Sequence, residues 1–398
     1  MKALVIAPQP FFTPRGTPFS VYYRTMVMAE QGVHIDLLTY GQGQDVNLPN
    51  LRIYRIPRFN FLGQPPIGPS MLKAFYDLFM ILRTITLMIT RRYDFVHAHE
   101  EAVFWCRYLK PLLRFKLVYD MHSSLPQQLT NFSFTRSRLL IAIFKHLEDT
   151  ALRHSDAVIT ICPDLATYAL AQGVPPDAHF LIENSIFDPI QTTTKPTDVA
   201  QRIRGTDAQN ATPPAPRIVY AGTFETYQGL DILLDAFARV RNDRPDAQLL
   251  IVGGTPQQVA AYRQHADTLG LNGACQFTGQ VPKHTARELL DTADIMVSPR
   301  REGTNTPLKI YEQLASGKPL VATNIWSHTQ VLNDDVCFLV DPDATAMAQG
   351  LLTALNDPVQ SQQRARAARH LYETAYARSA YDRKIQNLLT HLTNKQSD

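Results

Sequence analysis

At 398 residues, and with a prior of ~150 residues per domain, the chain has room for two or three domains; 45% hydrophobic against 19% charged residues supplies apolar mass for two sizeable cores. A net charge of +3 is too small for a nucleic-acid binder, whose affinity rests on a concentrated basic patch. The four cysteines, Cys106, Cys162, Cys275 and Cys337, form no CxxC pair, which fits a reduced, cytoplasmic chain with buried thiols.

The opening stretch MKALVIAPQPFF is interrupted by Pro8 and Pro10 and reads as a buried strand followed by a loop, being too short for a signal peptide. Arg15, Gly16 and Thr17 then lead into a helix. Such a glycine lets backbone approach a phosphate, a plain turn being the alternative. Further strands are predicted at 34–40, 95–99, 116–121, 157–161 and 180–184, with helices between them, for example at 21–31 and 139–153. Residues 71–90, MLKAFYDLFMILRTITLMIT, are apolar, but Lys73, Asp77 and Arg83 argue against a membrane span. They predict an amphipathic helix, packed on a sheet or lying on a membrane surface with Arg91 and Arg92 at its end. In FVHAHEEA, His97 and His99 alternate along a strand and so face one side. With Glu100 and Glu101 they invite a metal, but no third ligand stands at a recognisable spacing and there is no HExxH, so a structural or acceptor-lining role for His99 and Glu100 is preferred and no metal is expected.

Residues 191–216 are rich in Thr, Pro, Asn and Gln and read as a linker. The pattern then repeats, with strands predicted at 217–222, 248–253, 275–279, 295–299, 320–323 and 336–340. Strand–helix alternation on both sides of a linker predicts an α/β chain of two doubly wound Rossmann-like domains facing across a cleft. The expected division is 1–190 on the acceptor side, 217–362 on the donor side, and terminal helices at 363–398 that cross back to the first domain. Ligands of such sheets sit beyond the carboxyl ends of the strands.

The most informative stretch is SPRREGTNTPLKIYEQLASGKPLVAT, residues 298–323. A strand ends and a loop follows; Thr306 is placed to cap a helix, Pro307 suits its first turn and Gly317 its end. The helix start, Asn305 to Leu308, offers backbone N–H groups and a positive dipole end to a phosphate, and Lys309 adds a charge. Glu312 lies on the same face, three residues on. A carboxylate suits the paired hydroxyls of a ribose rather than a phosphate.

These residues resemble the family 4 retaining glycosyltransferases of the GT-B fold. Their signature is Glu-x7-Glu at a helix start, then small residues and Gly-x-Pro followed by two hydrophobics. Glu312, Ala315, Gly317, Pro319, Leu320 and Val321 match the second part, and the resemblance implies that Glu312 holds the nucleotide ribose. Thr304 stands where the first glutamate is expected; Glu302, preceding Gly303, takes its place at the transferred sugar if the loop carries a two-residue insertion. VYAGTFETYQGLDILLDAF resembles the family's strand–Gly–loop–Gly–helix unit through Gly222 and Gly229. Thr223 and Gln228 replace the Arg and Lys that clamp the diphosphate there, and neutral side chains do not offset phosphate charge. Arg300, Arg301 and Lys309 are the expected substitutes. Gly253 in LLIVG and the backbone near Val281 follow the family order, the latter meeting the base. His122, after LVYDM, matches an active-site histidine facing the transferred sugar.

The resemblance implies transfer of a sugar from a nucleotide diphosphate donor, with retention by front-face attack and no protein nucleophile. No DxD motif is present to bind Mg²⁺, and no cofactor is expected. Acceptors left open are a glycan, a lipid-linked oligosaccharide or a small molecule, with peripheral contact to the inner face of a membrane as a further expectation. The alternatives are a non-catalytic GT-B scaffold, favoured by the missing clamp, and a nucleotide-sugar 2-epimerase.

Overall fold

A computed structural model describes residues 1–12, 17–59, 70–126, 137–184 and 215–394. Gly16 and most of the expected linker lie outside the described residues.

The short β-branched runs of the first half form a seven-stranded sheet: β1 (Lys2–Ala7), β2 (His34–Thr39), β3 (Leu51–Arg55), β4 (Phe95–His99), β5 (Lys116–Met121), β6 (Ala157–Thr160) and β7 (His179–Leu181). Its order is β3-β2-β1-β4-β5-β6-β7, and every pair is parallel. Strands β1 and β4 are buried almost throughout, which is why they read as continuous apolar runs. Edge strand β3 is absent from the sequence prediction: LRIYR carries arginine at its second and last positions and none of its side chains is fully buried, so no apolar run announces it. The crossover helices are α1 (Thr17–Glu30), α2 (Met71–Thr90), α3 (Ala102–Leu113), α4 (Arg138–His154) and α5 (Pro163–Ala171).

The second half builds a six-stranded parallel sheet in the order β10-β9-β8-β11-β12-β13. Its strands are β8 (Arg217–Ala221), β9 (Gln248–Val252), β10 (Cys275–Phe277), β11 (Ile295–Ser298), β12 (Leu320–Thr323) and β13 (Phe338–Val340). Helices α6 (Leu230–Asp243), α7 (Pro256–Thr268), α8 (Lys283–Asp291), α9 (Leu308–Ser316), the single turn α10 (Trp326–Thr329), α11 (Ala344–Asn356) and α12 (Pro358–Leu371) connect them. Separate apolar clusters fill its two faces, one around Leu233, Phe237 and Leu351, the other around Ile310, Leu314 and Leu332. In each sheet the strand order reverses once, between β1 and β4 and between β8 and β11, and the loops leaving the carboxyl ends there are where a doubly wound sheet binds its ligands.

The chain divides into two compact units, Met1–Ser185 with Arg378–Asp398, and Ile186–Ala377. The last helix, α13 (Arg378–Asn394), therefore packs on the first unit. It buries Tyr381, Ile385 and Leu388, and Lys384 pairs with Glu183 just past β7. All four cysteines are free.

Helix α2 is amphipathic. Tyr76, Met80, Thr84, Leu87 and Met88 are buried against the sheet. Met71, Phe75, Leu78, Leu82 and Ile89, spaced along one outward stripe, are exposed, Met71 at 81% and Ile89 at 71%. Arg83 and Arg92 are exposed beside and beyond that stripe. No helix among the described residues is long and apolar enough to cross a membrane.

Candidate functional site

In the second unit, the loops after β8, β11 and β12 form one bonded assembly. Gly229 has φ +70°, and a Cβ there would lie 2.0 Å from the Pro299 carbonyl oxygen, so only glycine lets the β8 loop meet the β11 loop. The Arg301 N–H donates to the Tyr227 carbonyl across 2.9 Å, and the Arg300 guanidinium lies 5.1 Å from the Tyr227 ring centre. His328 locks the third loop. Its Nδ1 donates to the Thr323 carbonyl at 2.8 Å, so its Nε2 accepts from the Ser298 hydroxyl at 3.1 Å. Burial pulls this ring down to about 3, which keeps it neutral. The Thr323 hydroxyl donates to the Arg300 carbonyl and the Gln330 amide to that of Thr304, fixing the segment that carries Glu302.

Lys309 reaches into this assembly. Its ammonium donates to Gln228 Oε1 at 3.0 Å and lies 4.6 Å from the Tyr220 ring centre; the Gln228 amide in turn approaches the Thr223 hydroxyl at 3.4 Å. Lys309 therefore occupies the neighbourhood that Thr223 and Gln228 leave without charge. Burial, reinforced by Arg300, pulls its ammonium down to about 7. Arg300 itself bonds through Nε to the Glu302 carbonyl at 2.6 Å, while the Glu302 side chain is exposed. Arg301 does not share this convergence: it pairs with Asp231 in the first turn of α6, so its charge is already answered.

Helix α9 starts at Leu308, with Pro307 as its cap residue and no side chain bonded to its amino end. This corrects the expected capping by Thr306. A residue before proline is driven out of the helical region, and the Thr306 hydroxyl bonds to none of the described first-turn amides. Gly317 ends the helix with φ +64°, the left-handed stop its sequence predicts.

Glu312 faces a cavity of ≈ 580 Å³ that Gly222, Lys309, Lys283, Arg287 and Tyr372 also line. Its carboxylate lies 3.4 Å from Lys283 and 3.9 Å from Arg287, both on α8, distances too long for strong hydrogen bonds. Val281 is half-buried just before α8. Gly253 takes φ +121° with its Cβ position 2.0 Å from the Gly222 carbonyl oxygen, so the β8 and β9 ends touch backbone to backbone. Asn305 is half-buried in the loop before α9.

In the first unit, the tips of β4 and β5 gather a set that sequence spacing did not foretell. Register pairs His99 with Asp120, and the Asp120 carboxylate, fully buried, becomes a hub. Arg24, from the middle of α1, pairs with Oδ2, which also accepts from His97 Nε2 at 2.9 Å. Oδ1 lies 3.2 Å from His122 Nε2, which is 3.0 Å from His99 Nδ1. The His97 and His99 rings stack with centres 4.6 Å apart. His122, 4% exposed, is therefore not a surface residue. Burial pulls His122 down to about 4 and His99 well below its ordinary value, so both rings are neutral. Burial pushes the Asp120 carboxyl up, but the Arg24 guanidinium outweighs it and holds the carboxyl well below its ordinary value. Atoms of His97, His99 and Asp120 lie within 4.8 Å of one another, a spacing suited to a cation, yet the Arg24 guanidinium already supplies positive charge to this carboxylate. Asp120 and Arg24 were legible only as charged residues inside apolar runs, LVYDM and VYYRTMVM.

Next to this hub, Glu100 takes φ +51°, unusual for a side-chain-bearing residue, and accepts from the Ser123 hydroxyl at 3.1 Å. Burial and the Glu101 charge push its carboxyl up to about 8, so it is protonated at neutral pH. Glu101 pairs with Lys73 of α2 at 2.6 Å, and the Tyr40 hydroxyl donates to Asp77 of α2 at 2.7 Å.

Two parallel sheets of this topology, with ligand-side loops at their carboxyl ends, define a GT-B glycosyltransferase fold. Residues 215–357 match the family model described as glycosyl transferases group 1, and residues 27–185 that of the glycosyl transferase 4-like domain. The chain belongs to the group 1, family 4-like glycosyltransferases. A phosphatidyl-myo-inositol mannosyltransferase of Mycobacterium tuberculosis is 32% identical over 168 residues, 40% of this chain and 42% of the relative. A D-inositol 3-phosphate glycosyltransferase of Jonesia denitrificans is 29% identical over 48% of this chain and 46% of its own length. The chain thus spans less than half the length of these curated relatives. Among solved structures, sucrose-phosphate synthase of Thermosynechococcus elongatus superposes with TM-score 0.73 at 20% identity, covering 99% of each chain. HepE of Anabaena in complex with UDP superposes with TM-score 0.71 at 17% identity, over 98% of this chain and 100% of that one.

The lowered Lys309 makes a testable demand on stability. Unfolded, this group titrates near 10.4, so between about 7 and about 10 the unfolded chain binds more protons and folding stability rises with pH. Lys309→Met removes the group. The midpoint of thermal unfolding, compared from about pH 6.5 to about pH 9, should shift in favour of the native protein relative to the variant as pH rises. A constant difference would show that Lys309 keeps its ordinary charge.

Proposed function

We propose that this protein moves a sugar from a nucleoside diphosphate donor to an acceptor, with retention at the anomeric carbon. The observation that carries this reading is Lys309: a half-buried ammonium at the amino end of α9, pressed by Arg300 and met, among the described residues, by the neutral Gln228 and the Tyr220 ring and by no carboxylate. A diphosphate supplies the missing negative charge, and its binding restores the ammonium to its charged form. Glu312, one turn further along the helix, accepts two hydrogen bonds from ribose hydroxyls in the adjoining cavity. HepE, which shares the fold, was crystallised with UDP and with UDP-glucose, which supports a nucleotide sugar as donor class.

In this reading, departure of the nucleoside diphosphate leaves charge on its phosphates. Lys309, Arg300 and the first amides of α9 stabilise it, a preorganised arrangement that needs no solvent reorganisation. Thr223 and Gln228 orient the diphosphate, while Glu302 contacts the transferred sugar. Retention follows the family resemblance: front-face attack uses the leaving phosphate itself as the acceptor's proton sink, so no protein nucleophile is required. The exposed stripe on α2, flanked by Arg83 and Arg92, supports a peripheral contact with anionic lipid and an acceptor carried at a membrane surface.

Calorimetry with UDP-, GDP- and ADP-sugars should find one that binds; failure of all three would favour the scaffold reading. For that nucleotide, Lys309→Ala should weaken the diphosphate roughly 10- to 100-fold, the loss expected for a charged hydrogen bond, and leave the bare nucleoside within about twofold. Equal losses for both would remove Lys309 from the phosphate site. The anomeric proton coupling of the first-formed product, read by NMR, should match that of the donor; the opposite coupling would overturn retention. Release of nucleoside diphosphate only in the presence of acceptor separates transfer from epimerisation. Sedimentation with vesicles of phosphatidylcholine and phosphatidylserine should pull down part of the protein at low salt. Leu78→Glu with Leu82→Glu should abolish this, and an absence of binding at low salt would count against the membrane contact.

A further inference from the structure

One face of the first sheet is covered by three helices whose outer sides stay exposed. Helices α2, α3 and α4 connect β3 to β4, β4 to β5 and β5 to β6, crossovers that all step the same way along the sheet. Right-handed connection puts them on one face, with α2 beside α3 and α3 beside α4. Neighbouring helices stand about 10 Å apart, so α2 and α4 flank α3 across about 20 Å. Each exposes large apolar side chains: α2 along its outward stripe, α3 towards its end through Tyr108, Leu112 and Leu113, and α4 at its start through Leu139, Leu140 and Ile143. Leu112 is 76% exposed and Leu139 71%. The charges of the layer are one-sided. Among the described residues, the exposed charged side chains of these helices are Arg83, Lys145 and Arg153, with Arg92 and Arg114 just past the ends of α2 and α3. The acids are withdrawn: Asp77 accepts from Tyr40, Glu148 is buried and accepts from Ser124 and Tyr168, and Asp149 pairs with Lys145.

We propose that this layer is a single docking face for an anionic bilayer, with Leu139, Leu140 and Ile143 of α4 as a second apolar anchor beside the stripe on α2. It rests on the membrane reading of α2 and adds a second point of contact to it. A contact along one helix leaves the unit able to roll about that helix's axis. Supports off that line, at the end of α3 and the start of α4, remove the freedom. On a bilayer, apolar side chains sink to the acyl boundary while arginine and lysine stay at the headgroups. The layer offers both, and among the described residues none of its exposed side chains is a carboxylate. The same charge pattern argues against a second copy of the chain as the occupant. A two-fold contact sets one patch against itself, so the basic residues of each face would meet a face of their own sign. Helices α2 and α4 follow β3 and β5 and so start at the carboxyl edge of the sheet. The anchor on α4 therefore holds beside the lipid the edge from which the ligand-side loops leave.

Sedimentation of the full chain with vesicles of phosphatidylcholine and phosphatidylserine at low salt separates the two anchors. Leu139→Gln with Ile143→Gln adds no charge and leaves α2 intact. It should raise the lipid concentration for half-binding at least about tenfold, the loss expected when two apolar side chains stay in water. Unchanged binding in that variant, with loss in Leu78→Gln with Leu82→Gln, would leave α2 as the whole contact: the reading of α2 would stand and the second anchor would fall. Leu139→Trp reads insertion directly and decides the matter even where the paired glutamines disturb α4. Phosphatidylcholine brominated along its acyl chains should quench the added indole fluorescence, and an unquenched indole on vesicle-bound protein would overturn the anchor. Equal binding to vesicles of phosphatidylcholine alone would overturn the role of the basic residues. Analytical ultracentrifugation without lipid should find no self-association through this face. A dimer that the α4 pair converts to monomer would give the face to a second copy of the chain and overturn the proposal. Failure of the native protein to bind any of these vesicles would refute the membrane reading of α2 and the second anchor together.

Discussion

In a parallel sheet every strand leaves by the same edge, and this constraint governs the chain from end to end. Each return must pass over a face as a helix, so the strands are buried on both sides and their sequences become short apolar runs. All the loops that begin at carboxyl ends collect on one edge, and where the strand order reverses they part to leave room for a ligand. Polar and charged residues at strand tips are therefore brought together irrespective of their distance in sequence. His99 and Asp120 meet because β4 and β5 are neighbours in register. Lys309 and Gln228 meet because the loops after β8 and β11 leave adjacent strands.

Burial at those tips turns every charge into a choice between a partner and a shifted titration. The two units resolve it differently. In the first, Asp120 is answered internally by Arg24, and His99 and His122 stay neutral because burial disfavours their charged forms. In the second, Lys309 has no carboxylate among the described residues and moves instead towards neutrality. A site complete in itself favours rigidity; a site with an unanswered cation gains when an anion arrives. On the glycosyltransferase reading the first property suits the orienting of a sugar and the second the gripping of a diphosphate.

Most of the architecture was legible in the sequence because parallel strands write themselves as apolar runs; β3, at the edge and half-exposed, does not. The helix around Glu312 was legible through its glycine stop, yet its start was misplaced: the hydroxyl of Thr306 reads as a cap, while Pro307 holds the chain extended before Leu308. Replacement of the phosphate clamp could be framed from sequence, but not resolved. Three cations were candidates; only the structure commits Arg301 to Asp231 and leaves Arg300 and Lys309 converging. The Asp120 hub was the least legible. It joins α1, β4, β5, the segment beyond β7 and α13, five pieces with no spacing in common. Arg24 and Asp120 each interrupt an apolar run, a local inconsistency of the kind that marks functional sites, but neither names its partner.

Helix α2 shows how the parts of the first unit act together. Its outward stripe is apolar and its inward side is mostly apolar too, but Lys73 and Asp77 form a polar seam, one to Glu101 at 2.6 Å and the other to Tyr40 at 2.7 Å. A helix held only by apolar contacts could slide or roll with little penalty; one pinned by two directed bonds cannot. The residue beside Glu101 is Glu100, and beside that stands His99 of the hub. If the stripe rests on lipid, as proposed, the rest of the helix spans only its own diameter, ~10 Å, between that surface and the seam. The seam then fixes the height of the β4 tip above the bilayer, and an acceptor whose hydroxyl stands proud of the headgroups meets the polar edge of the sheet without leaving its membrane.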